Sequence, residues 1–308
     1  MLVIIAVVLS IIACVYVIIK RRKRRAYNLH KSDLSKKKYL NVVITGASKG
    51  LGYAITKKLL SRGDKVVICS RSKQSVDEAV GELSKMAPNR IFGTTCDISS
   101  EKSLIELASF AKQSLGDIDL WVNNAGTTGS VRATIEDINA ETVREVVDTN
   151  MIGTILNAKI AIKTLKSQKE GGHLYTYFEG AGSNGWATPF MACYGTTKYG
   201  LAQFNKSLVE ECKDSHVGIH RLSPGMIMTS MLHNSANGNL KSYKVFNILA
   251  EEASVVADFI VENLHKTSGT DGYFQFLTIP GAAFRFITAF MRKNKFYDEK
   301  GNLKIKLA

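Results

Sequence analysis

Cysteine is scarce in this chain, and the placement of its five residues excludes two classes of protein. Cys14, Cys69, Cys96, Cys193 and Cys212 are scattered and odd in number. They show neither the paired spacing of a zinc site nor the even count of a disulfide framework. We therefore expect no metal site and a reducing compartment.

Internal repeats and low-complexity segments are also missing, and acidic residues are outnumbered. The 308 residues include 41 Lys and Arg but 27 Asp and Glu, a formal net charge of +14. Residues 20–38 contribute +9 and residues 285–308 contribute +5, so the remainder is neutral. Basic ends on a neutral body favour an anionic membrane surface as partner over nucleic acid. For residues 285–308, a solvated spacer is the alternative.

Residues 2–19 form an almost unbroken apolar run, and six basic residues follow at 20–25. A helix of that length rises about 27 Å, close to the thickness of a hydrocarbon core. A cleaved signal peptide carries its charge before the apolar stretch. We predict a single transmembrane helix at residues 1–20 and a basic linker at 21–38, with a buried terminal helix as the alternative. The positive-inside rule then keeps the following domain on the cytoplasmic or stromal side.

The apolar run is not a Ser/Arg-rich transit leader. A membrane of the endoplasmic reticulum and a plastid membrane therefore both remain open as locations. The oligomeric state also stays open, and a homo-oligomer is one expectation.

Apolar stretches alternate with amphipathic stretches over most of the chain. We predict strands at residues 40–45, 65–70, 91–96, 118–122, 173–178 and 217–222, and helices at 50–62, 75–85, 101–115, 141–166 and 192–213. This alternation is typical of an α/β protein with a Rossmann-type, doubly wound parallel sheet, which we place at residues 39–279. Ligands of such sheets bind beyond the carboxyl ends of the strands.

A glycine-rich turn joins the first predicted strand to the first helix. Residues 46–52 read Gly-Ala-Ser-Lys-Gly-Leu-Gly. Glycines at such a turn let the backbone approach a pyrophosphate, and the helix N-terminus faces the anion. The spacing differs from the common Gly-x-Gly-x-x-Gly fingerprint. A dinucleotide site is therefore indicated by the position of the turn between a strand and a helix.

Tyr194 and Lys198 are four residues apart within the last predicted helix. Positions i and i+4 share one helix face. An ammonium close to a phenol lowers its pKa. The pair therefore predicts a proton donor for hydride transfer to or from a carbonyl.

These motifs, together with residues 123–126 (Asn-Asn-Ala-Gly), Asn150 and residues 223–225 (Ser-Pro-Gly), resemble the short-chain dehydrogenase/reductase family. The resemblance covers about residues 40–230. It implies that Tyr194 donates the proton, that Lys198 binds the nicotinamide ribose and that Asn150 holds a water in a proton relay.

The predicted cofactor is NADP(H). The second strand ends in Ser70-Arg71, without the acid that would bind a free ribose 2′-hydroxyl, and Lys49 adds a second cation. Arginine binds a 2′-phosphate bidentately; a solvated Arg71 is the alternative. The predicted cofactor-binding residues are Gly46, Ser48, Lys49, Gly50, Leu51, Gly52, Ser70, Arg71, Asp97, Ile98, Asn123, Ala125, Gly126, Tyr194, Lys198, Pro224, Gly225, Ile227 and Thr229.

One position departs from the family pattern. A serine usually stands thirteen residues before the tyrosine, and this chain has Ala181 there. We predict that Ser183 takes its place in binding the substrate carbonyl.

Residues 180–183, 194–198, 223–226 and 296–301 resemble the chlorophyll b reductase branch of the family. That branch is membrane-bound and reduces the 7-formyl group of chlorophyll b. A lipophilic aldehyde or ketone is therefore the expected substrate. Two alternatives are a retinoid, steroid or 3-ketoacyl-lipid oxidoreductase of the endoplasmic reticulum, and a catalytically silent NADP(H)-binding scaffold.

Residues 280–308 form a basic, amphipathic C-terminal extension. Phe284, Ile287 and Met291 recur at helical spacing. We expect this segment either to lie in the membrane interface or to pack over the active site or a subunit contact.

Overall fold

The computed structural model describes residues 31–129, 132–176, 180, 182–236 and 238–307. Its strands are β1 (Asn41–Thr45), β2 (Lys65–Ser70), β3 (Ile91–Thr95), β4 (Leu120–Asn123), β5 (Gly172–Thr176), β6 (Val217–Ser223), β7 (Ile227–Met228), β8 (Glu251–Glu252) and β9 (Gly272–Gln275). Its α-helices are α1 (Gly50–Arg62), α2 (Lys73–Ser84), α3 (Glu101–Leu115), α4 (Ala140–Val147), α5 (Thr154–Lys166), α6 (Ala192–Glu211), α7 (Ser230–Ser235), α8 (Leu240–Leu249), α9 (Ala253–Leu264) and α10 (Ile279–Ile287). Short 3₁₀ turns cover Leu34–Lys36 and Ala289–Arg292.

Seven strands form one parallel sheet in the order β3-β2-β1-β4-β5-β6-β9. The order reverses between β1 and β4, which makes the sheet doubly wound. The predicted α/β Rossmann-type fold is therefore confirmed. All seven carboxyl ends lie along one edge, and this edge carries most of the predicted site residues.

The two faces of the sheet separate the core into two layers, because side chains alternate along each strand. Val42 and Ile44 of β1 face the layer that includes α1 and α9, whereas Val43 faces the layer that includes α3 and α5. All three side chains are fully buried. The helices thus hold the strand ends of both halves in fixed positions.

The predicted helix at residues 141–166 is confirmed as an unbroken helical stretch, but its turn type changes in the middle. A π-helical segment, Asp148–Gly153, joins α4 to α5. Two tertiary contacts accompany this segment: Asn150 bonds the backbone of Thr127, and Gly153 lies against the side chain of Ile98. Neither contact can be predicted from the hydrophobic periodicity of the sequence. π-Segments of this kind occur often at functional sites.

The described part of the predicted linker lies against the amino edge of the sheet. Lys31 Nζ donates to the carbonyls of Cys212, Lys213 and Ser215, just before β6. Leu34 is fully buried, and Lys37 forms an ion pair with Asp119, just before β4.

No helix in the described ranges is long and apolar enough to span a bilayer. The predicted transmembrane segment at residues 1–20 lies outside those ranges, as does Ala181.

Candidate active site

The glycine turn connects β1 to α1, as predicted. Gly46 and Gly50 have φ values of +64° and +63°, which favour glycine. A Cβ on Gly46 would lie 2.7 Å from Ala125 Cα, and one on Gly52 would lie 2.8 Å from Ala47 Cα. Glycine at these positions therefore keeps the backbone close-packed and unobstructed at the N-terminus of α1, where an anion can approach backbone N–H groups.

Asn124 fastens this turn to the end of β4. Its Nδ2 donates to the carbonyls of Thr45 and Gly46, at 2.8 and 3.0 Å. Its backbone N–H donates to Thr45 Oγ1 at 3.2 Å. Asn124 is not among the predicted site residues, although it lies inside the 123–126 motif.

The side chain of Asn123, a predicted cofactor-binding residue, is held by hydrogen bonds inside the domain. It is buried, its Nδ2 donates to the Thr154 carbonyl, and its Oδ1 accepts from Asn157 Nδ2 at 2.9 Å. Asn157 in turn accepts from Trp121 Nε1 at 2.9 Å. This network joins β4 to α5 beneath the site.

Two cations stand at the predicted adenosine end. Lys49 occupies the N-cap of α1 and Arg71 follows β2, and both side chains are exposed. Asp97, after β3, accepts from the backbone N–H and hydroxyl of Ser99. Ile98 beside it is buried against Gly153.

Tyr194 and Lys198 lie on the first turns of α6 and share one face. The Lys198 ammonium is 5.4 Å from the centre of the Tyr194 ring. Lys198 is buried, and the Tyr194 hydroxyl lies close to Gly180, where a Cβ would be 2.6 Å from it. The pair therefore occupies the carboxyl edge of the sheet beside the loop that follows β5.

The predicted lowering of the tyrosine pKa is wrong for this arrangement. Tyr194 is half-buried, and its partial removal from water raises its pKa to about 12. Burial also lowers the pKa of Lys198 to about 8. Desolvation disfavours both charged forms, and it outweighs the attraction that we expected from the sequence.

Asn150 connects the end of β4 to α6. Its Oδ1 accepts from the Thr127 N–H and its Nδ2 donates to the Thr127 carbonyl, both at 2.8 Å. The same Nδ2 is 3.4 Å from Thr197 Oγ1, which donates to the Tyr194 carbonyl at 2.7 Å. A continuous chain of hydrogen bonds therefore runs from Thr127 to the backbone of the tyrosine.

Ser183 closes a tight turn next to the tyrosine. Its Oγ donates to the Gly180 carbonyl at 2.9 Å, and Gly182 packs against Gly195 of α6. Since Gly180 lies against the Tyr194 hydroxyl, the turn brings the serine into the neighbourhood of the phenol.

Tyr194 also forms part of the wall of a pocket. The side chains around it are mostly apolar, and they include Ile135, Ile138, Val146 and Phe190. Ile135 and Phe190 are more than half exposed, so the pocket opens to the surface. Thr128 and Cys193 line the same pocket, so a substrate there would meet polar groups besides the phenol.

The turn after β6 completes the edge. Gly225 has a φ of +70° and approaches the Leu277 side chain, and Thr229 is the N-cap of α7. A Cβ on Gly50 would lie 3.7 Å from Thr229 Cγ2. Residues 224–229 therefore lie opposite the glycine turn. The fold thus brings the first and the last of the predicted cofactor-binding residues close together in space.

A family model described as short chain dehydrogenase matches residues 40–239. A chloroplastic chlorophyll(ide) b reductase of Oryza sativa subsp. japonica is 38% identical over 271 residues, covering 84% of this chain and 78% of that protein. A probable chlorophyll(ide) b reductase of the same organism, also chloroplastic, is 36% identical over 277 residues. That match covers 85% of this chain but 54% of that protein, so the chain spans about half of its length.

Among solved structures, an alcohol dehydrogenase from the archaeon Thermococcus sibiricus, complexed with 5-hydroxy-NADP, superimposes with a TM-score of 0.65. The sequence identity is 23%, and the match covers 77% of this chain and 95% of that one. At this identity the likeness shows the fold.

Proposed function

Since this chain belongs to the short-chain dehydrogenase family, we propose that it is a membrane-anchored, NADPH-dependent reductase of a lipophilic aldehyde or ketone. The 7-formyl group of chlorophyll(ide) b is the proposed substrate group. The observation that carries the proposal is the position of Tyr194, which lies one helical turn from Lys198 and next to a small opening lined mostly by apolar residues.

NADP(H) suits the residues at the carboxyl edge. The glycine turn leaves room where any Cβ on Gly46 or Gly52 would meet backbone, and the first turn of α1 contains no acid. Lys49 and Arg71 are exposed cations that would bind a 2′-phosphate. The bound cofactor supplies a hydride, whereas the protein supplies position and charge.

The protein's own step is the transfer of one proton. Tyr194 would donate its hydroxyl proton to the carbonyl oxygen, and a pKa of about 12 keeps the phenol protonated at neutral pH. Lys198, with a pKa of about 8, is mostly an ammonium at pH 7 and would stabilise the phenolate that remains. Asn150 would fix the position of Tyr194 through Thr197 and hold a water of the proton relay.

Ser183 is the proposed partner of the substrate carbonyl, in place of the serine that is absent at position 181. Its hydroxyl donates a hydrogen bond to the Gly180 carbonyl in this structure. Rotation about χ1 would turn the same O–H toward a substrate carbonyl. Ser183→Ala should therefore lower kcat, while Ser183→Thr, which keeps the hydroxyl, should retain more activity.

The substrate class rests on the relatives, because the space beside Tyr194 in this structure is small and is lined by polar as well as apolar atoms. The relative named chlorophyll(ide) b reductase is similar over 84% of this chain. We assign residues 39–279 to the catalytic domain and residues 280–308 to a basic extension.

The apolar run at residues 2–19 is the proposed anchor, with residues 20–25 toward the anionic leaflet. By analogy with the chloroplastic relatives, we propose a plastid membrane.

The test is NADPH consumption by the full chain in detergent micelles with chlorophyllide b. We expect the 7-hydroxymethyl product from the wild type and no turnover from Tyr194→Phe, with NADPH affinity changed less than twofold. Retinal, a steroid ketone and a 3-ketoacyl lipid are tested in parallel. Preference for one of these would replace the proposed substrate, and full activity of Tyr194→Phe would contradict the mechanism. Cofactor binding without turnover on any carbonyl would favour the silent scaffold.

A further inference from the structure

The C-terminal segment 279–291 presents an exposed apolar face. Six large apolar side chains within these thirteen residues are each more than half exposed: Ile279, Phe284, Phe286, Ile287, Phe290 and Met291. Soluble monomers rarely expose contiguous apolar patches above a few hundred Å², and larger ones mark interaction sites. We call these six residues the apolar face.

The polar side of the same segment is fastened to the domain. Arg285 Nη1 donates to the Leu249 carbonyl at 2.8 Å, and its Nη2 pairs with Glu251 at 3.2 Å. Arg292 donates to the carbonyls of Asn247 and Ala250 and also pairs with Glu251. Since both guanidinium groups point into the domain and are mostly buried, the segment cannot roll its apolar face inward without breaking these bonds.

The apolar face lies at the edge of the sheet that carries the candidate active site. The segment begins after β9, and Leu277 just before it contacts Gly225 of the turn after β6. Thr278 caps α10 by accepting from Gly281 N–H at 3.2 Å. The start of α10 is therefore held next to the predicted nicotinamide end.

The chain enters the domain at the opposite edge. Lys31 bonds the carbonyls that follow α6, whereas Tyr194 lies in the first turn of that helix. The twenty residues of α6 separate the two edges by about 30 Å. The eleven residues 20–30 between the apolar run and Lys31 can span at most about 40 Å. The linker is thus long enough to pass from one edge to the other.

We propose that the apolar face docks on the bilayer, so that the carboxyl edge of the sheet faces the membrane and the amino edge faces away. This orientation rests on the proposed anchor at residues 1–20. The exposed charges after the segment match the same occupant: Lys293, Lys300, Lys304 and Lys306 lie outside the Glu251 ion pairs, and anionic headgroups attract such cations. A lipophilic carbonyl compound would then enter the pocket beside Tyr194 directly from the lipid phase.

The test measures which edge touches lipid, without using activity. The full chain with Cys14→Ser and Cys193→Ser carries a single environment-sensitive fluorophore at Phe290→Cys and is reconstituted in vesicles of neutral and anionic phospholipids. The matched control is Met86→Cys, since Met86 is an exposed apolar residue at the amino edge, before β3. Cys69, Cys96 and Cys212 are buried, and the unlabelled background measures any labelling there. Circular dichroism melting confirms that each variant is folded.

We expect the probe at position 290 to shift to shorter wavelength and to lose at least half of its emission when nitroxide-labelled lipids are included. The probe at position 86 should show the emission of a water-exposed dye and little quenching. Quenching at position 86 but not at 290 would overturn the proposed orientation. The probe at position 290 could also shift to shorter wavelength without being quenched by lipid nitroxides. That result, together with dimers after chemical cross-linking, would assign the apolar face to a second copy of the chain. None of these outcomes depends on which carbonyl compound is the substrate.

Discussion

The side-chain amide of Asn150 bonds both backbone groups of Thr127, with Oδ1 and Nδ2 each at 2.8 Å from their partner. Asn150 is buried in the π-helical segment, and Nδ2 also reaches Thr197 on the helix of the tyrosine. The same residue therefore fixes the chain after β4 and the first turns of α6, the two elements between which the nicotinamide end of the site would lie.

Asn150→Ala should reduce both stability and turnover. The loss of two neutral hydrogen bonds, with the N–H and C=O of the half-buried Thr127 left unpaired, should lower the free energy of unfolding by about 1–3 kcal/mol. We expect kcat to fall at least tenfold because Tyr194 loses its positioning. Urea unfolding and steady-state kinetics measure the two effects. The control is Asn139→Ala, which removes the N-cap of α4 and should cost about 1 kcal/mol with unchanged kcat. Equal effects on kcat in both variants would contradict the positioning role.

Gly46→Ala should abolish dinucleotide binding. Position 46 has a positive φ, and the added Cβ would lie 2.7 Å from the Cα of Ala125. This clash is with backbone, so it cannot be relieved by the rotation of a side chain. The backbone conformation alone costs about 1–2 kcal/mol for alanine. Fluorescence titration with NADPH and thermal unfolding measure the result. Gly81→Ala is the control, because that exposed helical glycine meets no described atom within 4 Å and should gain about 0.5–1 kcal/mol. Normal NADPH affinity in Gly46→Ala would remove the turn from the proposed site.

Arg71→Ala should weaken NADPH and leave NADH unchanged. A charge-assisted contact with the 2′-phosphate contributes about 1.5–3 kcal/mol, so we expect the Kd for NADPH to rise about 10- to 100-fold. Lys73→Ala, which removes an exposed cation two residues further on, serves as control and should change neither Kd. Calorimetric titration with both cofactors decides the matter. An equal loss for NADH and NADPH would mean that Arg71 does not recognise the phosphate.

The buried Lys198 should make stability depend on pH. Its pKa is about 8 in the folded chain and 10.5 for an ordinary lysine, so the unfolded state binds more protons between these values. The free energy of unfolding should therefore rise by about 2 kcal/mol between pH 8 and pH 10, relative to Lys198→Met. Above pH 10 the raised pKa of Tyr194 acts in the opposite direction, because the unfolded state then binds fewer protons. Denaturant titrations at pH 7, 8, 9 and 10 measure the difference between the two proteins. Parallel curves would show that the ammonium is not desolvated.

The elements that could be predicted from sequence are those with a strong local signal. The helices Gly50–Arg62 and Glu101–Leu115 and the strand Lys65–Ser70 have the bounds that we predicted, since caps and periodicity define them. The π-helical turns at Asp148–Gly153 were not predicted, because the contacts of Asn150 and Gly153 involve residues distant in the chain. Asn124 was missed for the same reason, since its acceptors belong to β1 and the glycine turn.

The sequence by itself determined the family, the strand–helix alternation and the positions of Tyr194, Lys198 and the glycine turn, because spacing along a helix or a turn is local chemistry. Only the tertiary structure decided the state of the pair, since the depth of burial sets the balance between desolvation and charge attraction and raises the pKa of Tyr194. It also decided which side of the C-terminal segment faces outward, through the bonds of Arg285 and Arg292 to Glu251. Helical periodicity shows that a segment has an apolar side, whereas the partners of its polar side determine where that apolar side points.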